Sequence, residues 1–222
     1  MAYNTQTPEV RAQARTRRPG LSRLTGGGPT GNAILTAGTG TVLLVLLAAL
    51  GITILRLHPL LSEHMFIGLM LLGPVALKMG STGYRFARYY TGDATYRRKG
   101  PPLTPLRLMA PIVVLSTISV FATGVVLLLE GPSSRGTWLF LHKASFIVWI
   151  VFTGVNVLAH LPEMPRLLRA GFERPRPGVR DVPGRAGRMM SLASALVLGT
   201  VLAIIMVPDF GAWLNYIPTF NH

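Results

Sequence analysis

The stretch that decides the fold runs from Ala33 to Arg56, AILTAGTGTVLLVLLAALGITILR, with no charged side chain before its last residue. A run of this kind matches the roughly 20 residues needed to cross about 30 Å of hydrocarbon at 1.5 Å rise per residue. It has to be helical, because lipid offers its backbone N–H and C=O groups no partner outside the segment. Four more runs of similar length follow: His64 to about Tyr84, Leu108 to Leu129, Trp138 to Leu161, and Met189 to Val207. Pro59, Pro101, Pro102, Pro105, Pro132, Pro162 and Pro208 fall near the ends of the runs, where helix breakers belong. Pro111 sits in the first turn of its run, whereas Pro74 lies inside the second and is expected to kink it.

Composition agrees with this reading. Half of the 222 residues are hydrophobic, only 14% are charged and the mean hydropathy is +0.44. A soluble domain carries about a quarter charged residues, so the deficit excludes a single water-soluble globule. With no cysteine in the chain, disulfides, thiolate metal sites and iron–sulfur clusters are excluded. Any cofactor must be held by His, Met, carboxylate or backbone groups. The net charge of +14 raises the question of a nucleic-acid partner, but the cations lie between the apolar runs, where they determine topology. No nucleic acid is expected; the partner of this surface is the lipid bilayer.

The distribution of charge predicts orientation. The first thirty residues carry Arg11, Arg15, Arg17, Arg18 and Arg23, and they read as a disordered basic tail over 1–30. The connection after the second run carries Arg85, Arg88, Arg97, Arg98, Lys99 and Arg107. The connection after the fourth carries Arg166, Arg169, Arg174, Arg176, Arg180, Arg185 and Arg188. The other side has Arg56, Arg135 and Lys143, so eighteen cations stand against three. The tail and both long connections are therefore expected to face the cytoplasm, in a cell membrane with the N-terminus inside and the C-terminus outside. The expected organisation is a transmembrane bundle over 31–210, with helices at about 33–57, 63–86, 107–130, 137–161 and 188–207, and an external tail over 211–222. The fold class is all-α: an integral membrane helical bundle of five transmembrane helices with a four-helix haem-binding-type core.

Function is read from the histidines, because ionisable groups in or near spanning segments are costly and tend to be functional. His58 ends the first run and His64 opens the second, both on the external side; His142 lies about one turn into the fourth from the same side. His160 is at the inner end of the fourth run, and His222 closes the chain. A b-type haem takes two axial imidazoles on opposite faces, so its ligands come from facing helices at equal depth. His64 and His142 meet that requirement, which makes haem iron their expected metal. Gly68, one turn beyond His64, would let a flat macrocycle approach the backbone, and Gly124 and Gly154 are further small positions. The alternatives are that these glycines serve helix packing and that the histidines bind loop carbonyls at the interface.

The stretches LHPLLSEHMFIG at 57–68, LKMGSTGYRFARYY at 77–90 and LHKASFIVWIVFTGVNVLAH at 141–160 together resemble the bacterial membrane cytochrome b superfamily. That group includes the cytochrome b subunits of formate dehydrogenases and nickel hydrogenases and ferric-reductase-like proteins. The resemblance, over about residues 55–165, implies that His64 and His142 are axial ligands of an outer haem b. It also implies electron transfer between a quinone and a partner oxidoreductase subunit. Two-haem members carry a second ligand about 14 residues, or 21 Å, further along each helix. Here those positions are Lys78 and Asn156. One haem is expected, with His160 at the interface and His58, in the turn before Pro59, as the substitute ligand on the external side. Lys78 is expected to snorkel toward the phosphate layer beside Arg85; its functional alternative is to pair with a haem propionate or quinone oxygen. No nucleotide-binding segment is read in the chain, so the expected role is that of an electron-transfer subunit rather than a complete enzyme. The competing reading is a haem-free multi-pass membrane anchor, assembly factor or small transporter.

Overall fold

The computed structural model describes residues 27–98, 100, 104–172 and 182–216. Five helices are long and apolar enough to cross a membrane, and no strand occurs among the described residues. The protein is an all-α, multi-pass membrane bundle. Its long helices are α1 (Gly28–Leu55) and α2 (Leu61–Tyr90), then, after the short α3 (Ala94–Arg98), α4 (Thr104–Glu130) and α5 (Arg135–His160). A short α6 (Met164–Phe172) precedes the last long helix, α7 (Arg185–Met206), and α8 (Gly211–Leu214) follows it. The expected tail over 1–30 lies outside the described residues up to position 26, and α1 begins at Gly28, ahead of the expected start.

The helices pack as two antiparallel hairpins, α1–α2 and α4–α5, with α7 laid along α2. α2 touches α4 over a short stretch, and α2 and α5 do not pack along their lengths. Polar side chains staple the first hairpin at both ends. Near its turn, Thr53 Oγ1 lies 2.9 Å from His64 Nδ1. At its open end Asn32 Nδ2 donates to Ser81 O at 2.9 Å, and Thr36 Oγ1 and Ser81 Oγ are 3.0 Å apart. In the second hairpin Trp149 Nε1 donates to Thr117 Oγ1 at 3.0 Å, and the Thr117 hydroxyl passes its own proton to Val113 O. Buried groups of this kind are paired because lipid cannot satisfy them.

The contact between α2 and α7 depends on small residues. A Cβ on Gly73 would overlap Ala195 O, and one on Gly199 would overlap Met70 O, so the two backbones touch at this crossing. Met70 O is the carbonyl that Pro74, four residues on, cannot hydrogen-bond, because proline has no N–H. Gly199 Cα is aimed at that carbonyl and offers a weak C–H···O contact in its place. The proline expected to kink α2 thus lies fully buried within a continuous helix, facing its partner's glycine. Ala195, Gly199 and Ala203 recur at intervals of four on α7, the small-residue spacing that brings membrane helices close.

The two hairpins meet at their turn ends. Leu69 of α2, Leu128 of α4, and Ala203 and Phe210 form one buried cluster there. In the expected tail over 211–222 the described part is folded: after a 3₁₀ turn at Val207–Phe210, α8 lies across α4, where Trp213 Nε1 donates to Leu128 O at 3.3 Å. Residues 217–222, His222 among them, lie outside the described residues.

At the arginine-rich end the connections are helical as well. Asp93 Oδ1 accepts from the backbone N–H groups of Thr95 at 2.9 Å and Tyr96 at 3.1 Å, capping α3, while Arg88 pairs with its other oxygen. The backbone N–H of Tyr96, together with that of Thr95 and the charge of Arg88, holds the Asp93 carboxyl below the usual carboxylate range. Met164, Leu167 and Leu168 of α6 turn inward while Arg166 and Arg169 face outward, so α6 is an amphipathic helix lying on α1.

Candidate functional site

His64 stands in the first turn of α2 and His142 two turns into α5, and each is half-buried. The imidazoles are within electrostatic reach of one another although their helices do not pack. His64 lies against α1 within the first hairpin, and His142 against α4 within the second.

Each ring is held by its own hairpin partner, and the hydrogen bonds fix its tautomer. His142 Nδ1 lies 3.0 Å from Val120 O. A carbonyl only accepts, so Nδ1 carries the proton and Nε2 keeps its lone pair. The Thr123 hydroxyl, 3.4 Å from the same nitrogen, has spent its proton on Ser119 O at 2.6 Å. His64 follows the same logic through a side chain. Thr53 Oγ1 donates to Leu50 O at 2.6 Å, so toward His64 it can only accept, and again Nδ1 is the protonated nitrogen. Neither Nε2 has a hydrogen-bond partner among the described residues.

This donor set fits a haem iron. A metal-bound histidine donates its remote N–H to a carbonyl or other fixed acceptor, which sets ring orientation and raises ligand basicity. Both histidines have such an acceptor. Among the described residues no group of three or more His, Asp or Glu side chains assembles as a metal site, and a haem iron asks only a pair of the protein. The glycines divide in role. A Cβ on Gly124 would stand 3.0 Å from His142 Cε1, so this glycine makes room for the ring itself. A Cβ on Gly68 or Gly154 would meet nothing within 4 Å; at Gly68, one turn from His64, the backbone borders open space.

The remaining expected residues do not join this pair. His58 is exposed in the α1–α2 turn. His160, at the other end of α5, shares the field of Lys78, Arg85 and Glu163. Lys78 reaches toward the arginine-rich end, but onto α1. Its Nζ donates to Thr36 O of α1 at 2.7 Å, entering space that a side chain at Gly40 would fill. Thr53 and Val120, which orient the two rings, were not singled out in the sequence. Thr53 carries a usable signal, a lone hydroxyl among apolar residues near a hairpin turn that a histidine follows. Val120 contributes only its carbonyl and carries none.

Compared with protein-family models, curated proteins and solved structures, the chain matches none of them.

Proposed function

We propose that the protein is a membrane b-type cytochrome subunit that binds one haem b through His64 and His142 and passes electrons between a quinone and a partner oxidoreductase subunit. The observation that carries the reading is the matched pair of imidazoles. Both have Nδ1–H committed to a protein oxygen and Nε2 left with its lone pair, and they lie within electrostatic reach of one another on different hairpins. Bound haem would supply reversible one-electron chemistry. The chain's part is to hold the ligands: Thr53 and Val120 fix ring rotation, Gly124 admits the His142 ring, and Gly68 leaves the backbone bare where a macrocycle edge would lie. Holding both rings in advance would limit their reorientation when a bound iron changed oxidation state. In the proposed topology the arginine-rich end faces the cytoplasm, which sets the His64–His142 pair near the external face of the cell membrane.

The test is the absorption spectrum of protein produced with abundant haem, oxidised and then dithionite-reduced. The wild type should give the low-spin spectrum of a bis-imidazole haem. His64→Ala and His142→Ala should each abolish it, because low-spin ligation needs both axial bonds. His58→Ala and His160→Ala should retain it with unchanged haem per protein. A wild type without haem, or a normal spectrum in both ligand variants, sinks the proposal and leaves the haem-free membrane protein in its place.

A further inference from the structure

Lys78 stands where four helices converge. Its own helix α2 faces α1 through the Lys78 Nζ to Thr36 O hydrogen bond. A Cβ on Gly40 of α1 would meet both Lys78 Nζ at 3.0 Å and Met164 Cε of α6 at 3.5 Å, so α6 covers the same spot. His160 brings in the end of α5 and feels both Lys78 and Arg85. Arg85 is seven residues beyond Lys78, two turns along the same side of α2 and about 10 Å nearer the arginine-rich end.

The charges at this junction do not balance. The partner of the Lys78 ammonium is a neutral carbonyl, and among the described residues no carboxylate forms an ion pair with it. Glu163 is the one acid in the field of His160, against Lys78 and Arg85. A lysine ammonium has three N–H donors, and one is accounted for here. A cation held within a spanning segment is costly unless an anion meets it. Water-soluble acids do not reach this depth by choice, but the phosphate of a lipid headgroup lies just beyond the helix ends. Basic pockets between transmembrane helices recognise such headgroups. The junction suits a phospholipid headgroup: two cations from α2, an imidazole from the end of α5 as a hydrogen-bond donor, and α6 laid on α1 beside them.

We infer that Lys78, Arg85 and His160 form a binding site for the phosphate of an anionic phospholipid at the arginine-rich end of the bundle, where α2 and the end of α5 come together. Native mass spectrometry of the full chain, released from micelles doped with equal amounts of phosphatidylglycerol and phosphatidylcholine, tests it. The wild type should retain phosphatidylglycerol in clear preference. Lys78→Met, which keeps the apolar stem, should weaken that preference about fivefold, and Arg85→Gln by a similar factor, as expected for one cation near a headgroup. Arg85 lies beyond the buried part of α2, so its variant still reports if Lys78→Met fails to fold. Equal retention of the two lipids by the wild type overturns the proposal, as does a wild-type preference in Arg85→Gln. Displacement of phosphatidylglycerol by millimolar inorganic phosphate would show a site for the free ion and overturn the lipid assignment.

Discussion

Thr53→Val is the most informative single change near the histidine pair. Valine keeps the β-branch and nearly the volume of threonine, and Thr53 is only 4% exposed, so the substitution removes one hydroxyl and little else. That hydroxyl is the acceptor for His64 Nδ1–H, and its loss has two consequences. The ring loses the bond that holds its rotation, and a half-buried N–H is left without a partner at about 1–3 kcal/mol. Removing such an outer partner of a metal ligand lowers metal affinity about 10- to 100-fold, or about 1.4–2.7 kcal/mol. The loss also makes the imidazole a weaker donor, which favours the reduced iron and should raise the reduction potential. The assay is a haem titration of the apoprotein followed by a redox titration of the loaded protein. Thr53→Ser, which restores the hydroxyl, should recover both values, whereas a purely steric role for Thr53 would leave the serine variant impaired. If Thr53→Val binds haem with wild-type affinity at a wild-type potential, the hydrogen bond does not support a ligand and the argument from tautomers fails.

The remaining predictions concern packing and orientation. Gly199→Ala should destabilise the protein by about 1–3 kcal/mol, because the new methyl meets a backbone carbonyl that cannot move aside. Gly51→Ala, whose methyl meets nothing, is the control; equal thermal stability of the two variants in detergent would refute the close α2–α7 crossing. Cysteines placed at Arg97 and Arg176 should resist a membrane-impermeant label in intact cells, whereas one placed at Ser133 should react. Labelling of the first two would reverse the orientation.

The parts of this molecule legible in the sequence are those governed by the bilayer. An apolar run of sufficient length leaves the backbone one solution, so the five spans follow from composition alone. The shared end of the bundle was legible too: His64 and His142 lie in the first two turns of helices that start at the ends where the hairpins meet. What the sequence withheld depends on how one helix is rotated against another. The rule that long cationic side chains snorkel gives a direction and not a partner; that Lys78 meets Thr36 O in the space Gly40 leaves on α1 depends on helix rotation. The crossing of α2 and α7 was in principle readable from the spacing of Ala195, Gly199 and Ala203. The pairing of Gly199 with the carbonyl freed by Pro74 was not, since it joins residues far apart in the chain. The helical character of 164–172 was hidden by its arginines, which read as a loop until Met164, Leu167 and Leu168 are placed on one face.

The arrangement of hairpins bears on why a haem would matter to this protein beyond redox chemistry. Each hairpin is internally well tied, through Thr53–His64 and Asn32–Ser81 in one and Val120–His142 and Thr117–Trp149 in the other. Between them the described contacts gather at one end around Leu69, Leu128, Phe210 and Trp213 and at the other where α6 lies on α1, while α2 and α5 do not pack along their lengths. In lipid no hydrophobic force draws those two helices together, since acyl chains solvate them as well as they solvate each other. A group ligated by His64 from one hairpin and His142 from the other would supply the missing tie, and by linkage whatever binds only the assembled form stabilises it. Haem loading should therefore protect the facing parts of α2 and α5 from hydrogen exchange and proteolysis far more than it protects either hairpin's own interface. Uniform protection of all five helices would mean that the hairpins are already locked together without the ligand.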